Sequence, residues 1–405
     1  MSPRSVLAGL VAAAAVVSAK DTRTFAVLRF YGDGPLTSGR VDPIVHPGTV
    51  ASHMHTVQGG NAFGPTATGE SLRRSTCTSS LIKNDLSAYW APTLFFQSPD
   101  NGSLTQVPLF YMNVYYFFEP TNDDIKPFPT GLQMLSGDPA LRSAPVTTGA
   151  VNTDPSQGPI QPAQWTCPRS SYDVPSYPPG SDGATAGIQD PLNQAAGMGL
   201  PFDYCDGYAS PLRMDLHFPS CYNPAAGLAD YKNNTCFPAA AGAGRADCPP
   251  GWLHMPHLFY ELYWDTPAFA DAYGRWGAGT PFVLSNGDRT GFSVHGDFLA
   301  AWDEPTLQHI IDTCDAGGAG MDRCEAVPGG TNVGNPHRCT IPSPVDEPTT
   351  GWLAALPGDN PLAGWGVGNT SATSPAVSPA IPSALLGHVA GHLQRHGRGS
   401  RGAHG

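Results

Sequence analysis

Glycine and proline interrupt this chain so often that long helices are disfavoured: 47 glycines and 42 prolines stand among 405 residues. In a helix interior glycine costs about 1 kcal/mol and proline about 3 kcal/mol relative to alanine, and both mark turns. The segments left between them are short and rich in aromatic and β-branched residues. Residues 88–97 and 109–118 are two such runs, and Pro99-Asp100-Asn101-Gly102 between them is a strong turn signal, so a hairpin is expected there. Residues 212–219 and 256–265 alternate apolar with polar side chains, as strands covered on at least one face do. The best helical segment is Glu304 to Asp312, with Pro305 in its first turn. Trp90, Trp264 and Trp302 lie in apolar context and are expected in the core. The fold class expected is mainly β: a single β-sandwich-like domain with long loops, few short helices and disulfide staples.

Residues 1–19 have the pattern of a signal peptide. Arg4 gives a positive start, 6–17 is a run of small apolar residues, and Val17-Ser18-Ala19 is a small-residue cleavage site that would leave Lys20 first. The run is too short to span a bilayer. Residues 20–345 are expected to form the β-rich catalytic or binding domain, with 143–200 as a loop-rich insertion of Pro, Gly, Ser, Thr and Ala. Residues 346–405 form a low-complexity tail, first Ser/Thr/Pro-rich and then rich in His and Arg, where His388, His392 and His396 recur every four positions. No apolar terminal run suggests a lipid anchor.

An extracellular address, with association with a cell wall as one form of it, also fits nine cysteines without a CxxC motif. In an oxidising compartment most would pair. Short separations favour Cys205–Cys221, Cys236–Cys248 and Cys314–Cys324. Sequons at Asn101, Asn233 and Asn369 would carry glycans if exposed. The formal charge of −12 disfavours nucleic acid and anionic membrane as partners but not a neutral polysaccharide or cell-wall glycan.

Chemistry concentrates at two places. Ser52-His53-Met54-His55 lies in a polar stretch ending in Gly59-Gly60, and Ser293-Val294-His295-Gly296-Asp297 lies far downstream. In extended chain, residues two apart project to one side, roughly 7 Å apart. His53 with His55, and His295 with Asp297, are therefore pairs. Together the four could hold a divalent metal or run acid/base chemistry. Their polar, turn-rich surroundings suggest exposed positions, at which alanine should cost little stability. Asp42, Glu261 and Asp303 are further candidate catalytic carboxylates. Glu261 and Asp265 share a strand face but stand about 13 Å apart along it, too far for the usual glycosidase pair. Asp288 follows Asn286-Gly287 and is expected to shape a turn. Gly-x-Ser-x-Gly, His-Glu-x-x-His, phosphate-loop and dinucleotide motifs are missing.

Several motifs also resemble a secreted fungal family of unknown function whose domain is often fused to WSC carbohydrate-binding modules. They are Arg40-Val41-Asp42-Pro43-Ile44-Val45, Pro47-Gly48, the His53/His55 pair with Gly59-Gly60, Tyr89-Trp90-Ala91-Pro92, Gly137-Asp138-Pro139, Phe218-Pro219-Ser220-Cys221, Leu258-Phe259-Tyr260-Glu261, Ser285-Asn286-Gly287-Asp288 and His295-Gly296-Asp297-Phe298 with Trp302-Asp303. The resemblance spans roughly residues 40–315. It departs at Tyr222-Asn223-Pro224, where the family tends to have Trp-Asp-Gly, and the chain carries a histidine-rich tail instead of a WSC module. By analogy it implies polysaccharide as substrate.

The function expected is action on extracellular polysaccharide through a His/carboxylate pocket, of hydrolase or lyase type. The alternatives are a non-catalytic carbohydrate-binding surface protein and a secreted metal-binding protein.

Overall fold

The computed structural model describes residues 20–30, 34–143, 151–166, 196–201, 212–273, 280–335 and 337–364. The fold is mainly β. A six-stranded sheet runs in the order β1 (Thr24–Arg29), β7 (Leu109–Phe118), β17 (His257–Trp264), β11 (Arg213–His217), β9 (Ala163–Thr166) and β10 (Ala196–Gly197). A five-stranded sheet runs β2 (Thr37–Gly39), β3 (His55–Gly59), β4 (Ala88–Pro92), β19 (His295–Leu299) and β8 (Gln133–Gly137). Smaller sheets join β18 (Phe282–Leu284), β5 (Leu94–Gln97) and β6 (Leu104–Gln106); β13 (Thr235–Cys236), β12 (Cys221–Tyr222) and β16 (Leu253–His254); and β14 (Ala239–Gly242) with β15 (Arg245–Asp247).

The two large sheets share one core. From the six-stranded sheet come Leu28, Val114, Tyr116, Met214, Leu216, Leu258, Tyr260 and Leu262; Tyr89, Ala91, Met134 and Phe298 come from the five-stranded sheet. Period-2 alternation sends the other residues of each strand outward. On the five-stranded sheet those outward residues are buried again, because Val57, Ala88, Trp90 and Leu299 meet Leu36, Val41, Ile44, Phe63 and Leu72 in a second cluster. Trp90, Trp264 and Trp302 are fully buried, as their apolar context implied.

The expected turn at 99–102 is present, but it joins β5 to β6 rather than 88–97 to 109–118. Pro108 ends the hairpin, having no N–H to donate, and the chain crosses to the six-stranded sheet as β7. The strands expected at 212–219 and 256–265 are β11 and β17, paired with each other. The stretch 143–200 supplies β9 and the edge strand β10; residues 144–150 and 167–195 lie outside the described part, as do 1–19 and 365–405. Residues 346–364 are held on the body: Glu347 pairs with Arg40 at 2.8 Å, Leu353 bridges Leu104, and Leu356 joins a buried cluster. The packed chain thus runs past the boundary expected at 345.

Disulfides join Cys77–Cys339, Cys221–Cys248 and Cys314–Cys324. The last was expected. The other two short pairings do not form, since Cys248 reaches Cys221 while Cys236, facing Cys221 across β12 and β13, keeps a free thiol. Cys205 lies outside the described residues.

A buried hydrogen-bond chain crosses the core. Trp302 Nε1–H donates to the Tyr116 hydroxyl (2.8 Å), Tyr116 and Tyr89 hydroxyls meet at 2.6 Å, and Tyr89 donates to Asp85 (2.9 Å). Burial pushes the Asp85 carboxyl up to about 7, against the hydrogen bonds from Tyr89 and Ser87 that favour its charged form. The folded state therefore keeps a proton that the unfolded chain releases near pH 4, and this part of the stability falls as pH rises from about 4 to 7. Asp85→Asn is expected to flatten that slope in denaturant unfolding measured at pH 5 and pH 7.5. Equal slopes in variant and parent would contradict the assignment.

Candidate metal centre

Strand register brings the distant histidines together. β4 lies between β3 and β19, with His55 opposite Pro92 and Asp297 opposite Trp90. His55, Val57, Trp90, His295 and Asp297 consequently face the same side of the five-stranded sheet. That side is roofed by the 40–54 loop, which carries Asp42 and His53. Trp90, Val57 and Leu299 anchor the loop through Val41 and Ile44.

The three imidazoles pack ring to ring. Centroid separations are 4.4 Å for His53–His55, 5.0 Å for His53–His295 and 5.9 Å for His55–His295. Their nitrogens form one group of possible metal ligands, all within 4.8 Å of one another. Backbone carbonyls set the tautomers. A carbonyl only accepts, so His55 Nδ1–H donates to Val41 O (3.1 Å) and His295 Nδ1–H to Ser293 O (2.8 Å). Both Nε2 atoms then present lone pairs, the arrangement in which an outer hydrogen bond orients a metal-binding histidine.

His53 completes the set through Ser52. His53 Nε2 lies 3.0 Å from His295 Nε2, and His53 Nδ1 lies 3.0 Å from Ser52 Oγ. With no cation, His53 Nε2–H donates to His295 and the Ser52 hydroxyl donates to Nδ1. Turning that hydroxyl into an acceptor puts the proton on Nδ1 and frees the third Nε2. Asn360 steadies Ser52 by donating to its carbonyl (2.8 Å).

Exposure is 6% for His53, 2% for His295 and zero for His55 and Asp297. The expectation of exposed histidines is thus corrected: the sequence around them is polar, but their cover comes from remote apolar residues. Burial, reinforced by neighbouring imidazoles, pushes His55 down to about 3, His295 to about 4 and His53 well below the usual range. The rings are neutral, the form that binds metal.

Asp297 has no hydrogen-bond partner on either carboxylate oxygen, nor does His55 on Nε2. Burial, then the charge of Asp42, pushes the Asp297 carboxyl well above the usual carboxylate range. Asp297 closes with His55 and Asp42 into a second group of possible ligands, so the expected four-residue set divides into two groups sharing His55. Asp42 is partly committed, accepting from the backbone N–H of Ile44 (2.9 Å) and Val45 (3.0 Å).

Two expected carboxylates lie elsewhere. The Tyr260 hydroxyl donates inward to Asp297 O (3.0 Å), so Glu261, its neighbour, faces the opposite side of the six-stranded sheet. There it pairs with Arg213 at 3.1 Å and accepts from Tyr263. Asp303 caps the helix Glu304–Thr313, accepting from Thr306 N–H (3.1 Å) and hydroxyl (2.7 Å). Asp288 shapes the turn before His295, accepting from the N–H and hydroxyl of both Thr290 and Ser293.

The model of a domain of unknown function, DUF1996, matches residues 42–302. The chain belongs to this family. No curated protein and no solved structure matches it. The DUF1996 span holds all three histidines, Asp42 and Asp297. It ends one residue before Asp303. Sequence reasoning missed Ser52 and the carbonyls of Val41 and Ser293; tautomer control by a carbonyl has no side-chain signature. It also passed over His46, whose N–H closes a helical turn onto Asp42 O (3.1 Å) and whose charge helps depress His53 and His55.

An orphaned buried carboxyl is costly without a cation and useful with one. Asp297→Asn is therefore expected to stabilise the chelator-treated chain by about 1 kcal/mol, read as a higher melting temperature, and to remove most of the stabilisation that added metal gives. A variant that melts lower than the parent under chelation would show that the carboxyl is already satisfied.

Proposed function

We propose that this chain is a secreted protein that binds a divalent transition metal through His53, His55 and His295, with Asp297 beside it, and uses the metal to cleave extracellular polysaccharide. The convergence of three imidazole Nε2 atoms, two of them held as lone pairs by backbone carbonyls, carries this reading. Three protein ligands leave a coordination position for water or substrate, as catalytic sites require. A metal there would acidify a bound water, which hydrolysis adds across the glycosidic bond, and Asp297 is the nearby base. Elimination would be the lyase form on a uronic-acid glycan: Asp297, kept ionised by the metal charge, would take the C–H proton beside the carboxyl while the glycosidic C–O bond breaks and the departing oxygen takes a proton from water.

Secretion is supported by the N-terminal pattern, by three disulfides among the described residues and by the exposed sequon residues Asn101 and Asn233. Polysaccharide, a fungal source and a cell-wall setting rest on the resemblance to domains fused to WSC modules. Elemental analysis of the untagged full-length chain tests the centre. It is expected to hold about one more metal per chain than a His55→Ala/His295→Ala variant, since the histidine-rich C-terminal segment is common to both. Equal metal content would remove the metal from the mechanism.

A second reading, glycan binding without cleavage, is favoured by the outer face of the six-stranded sheet. Tyr111 and Tyr263 rings stack at 4.1 Å, and Phe259 stacks on His217 at 4.3 Å. Beside them Arg213 is paired with both Asp215 and Glu261, so the face offers the half-buried rings of Tyr111, Phe259 and His217 around an ion network with little free positive charge. Tyr111→Ala is expected to weaken retention on an insoluble β-glucan without changing metal content. Unchanged retention would discard this surface.

A further inference from the structure

A cavity of about 460 Å³ runs along β8, the edge strand of the five-stranded sheet. Its wall includes Gly137, which stands directly opposite His295 in the β8–β19 register, and Val294, the residue before His295. Neighbouring strands are about 4.8 Å apart, so one strand spacing separates this wall from the backbone of a candidate ligand. Gly137 keeps the approach narrow. Its φ is +83°, and a Cβ there would lie 2.1 Å from Val294 O and 2.7 Å from His295 Cα. With no side chain at 137, the position directly opposite His295 is bare, and the nearest β8 side chain on that face is Leu135, opposite Asp297.

Tyr231, Lys232, Thr235, Cys236 and Phe237 also line the cavity. Of these, Tyr231 and Phe237 are half-buried aromatics, and Lys232 Nζ stands 5.7 Å from the Tyr231 ring centroid. Gln161, Ser136 and Thr235 add polar groups. Lys232 and Asp138 bring opposite charges, and the Cys236 thiol, which burial pushes up, stays neutral. The formal charges of the lining cancel, which fits an uncharged ligand. Aromatic surface with scattered hydrogen-bonding groups suits a molecule that has both C–H faces and hydroxyls. The volume lies in the lower half of the range that encloses small ligands, with room for roughly one or two sugar rings.

We propose that this cavity is a binding subsite for a neutral sugar unit, its wall one strand spacing from the backbone of His295. The role beside a metal rests on the reading above; the binding of sugar does not.

Cys236 gives the cavity a built-in reporter. The test titrates the metal-loaded full-length chain with laminarihexaose and chitohexaose, following heat of binding and the rate of iodoacetamide alkylation located at Cys236. Saturating sugar is expected to slow alkylation roughly tenfold, and Phe237→Ala to weaken binding roughly tenfold at unchanged metal content. His55→Ala is expected to lose the metal yet keep sugar affinity within about threefold, because it touches no part of the lining. Failure of both oligosaccharides to bind, or binding that leaves Cys236 alkylation and the Phe237→Ala affinity unchanged, would overturn the proposal. Sugar protection of Cys236 in a chain that holds no metal would keep the subsite and overturn the metal reading instead.

Discussion

The candidate centre depends on the antiparallel register of three neighbouring strands, β3, β4 and β19. His55 stands opposite Pro92 and Asp297 opposite Trp90, so residues some 240 positions apart in the chain share one face. Side chains alternate with a period of two, and a slip of one residue in either pairing would turn His55 or the His295/Asp297 pair toward the central core. Apolar packing enforces the register. Val57, Trp90 and Leu299 fill the second cluster on the histidine side, while Tyr89, Ala91 and Phe298 fill the shared core on the other. Both faces of this sheet are specified, which leaves little freedom for slippage.

Burial then gives the cluster its chemistry. Three imidazoles out of water are neutral, and a carboxyl without partners is costly to keep there. A well-packed core would place an apolar side chain at 297 instead. Asp297 has two unpartnered oxygens beside an unpartnered His55 Nε2, and the metal proposed above would satisfy both residues. The roof over the centre is made of distant segments. The 40–54 loop is tied to residues 347–360 through Arg40–Glu347 and Asn360–Ser52, and Cys77–Cys339 staples the same region.

The sequence disclosed what is local. Pairs two apart, His53/His55 and His295/Asp297, were legible because strand periodicity is a property of neighbouring residues, and the alternation in β11 and β17 was legible for the same reason. The fold class followed from glycine, proline and aromatic usage. What stayed hidden depends on remote pairing. Glu261 has the composition of a site carboxylate, and only the direction of Tyr260 toward the five-stranded sheet reveals that Glu261 faces away. Asp303 was expected among the catalytic carboxylates, yet it directly precedes Glu304-Pro305 and caps that helix. Polar residues around His53 read as a surface loop, because the apolar residues that bury it lie elsewhere in the chain. Cys221 pairs with Cys248 rather than with a nearer cysteine, since strand geometry and not separation decides which sulfurs meet.

Anomalous diffraction from crystals of the full-length chain grown with zinc, recorded on both sides of the zinc absorption edge, tests the central claim most directly. The account predicts a peak bound by the Nε2 atoms of His53, His55 and His295 at about 2.0–2.1 Å, with Val41 and Ser293 carbonyls still holding the Nδ1 protons of His55 and His295. A map with no peak there, and the 3.0 Å hydrogen bond between His53 and His295 intact, would contradict it and leave the triad as a brace for the loop that covers it.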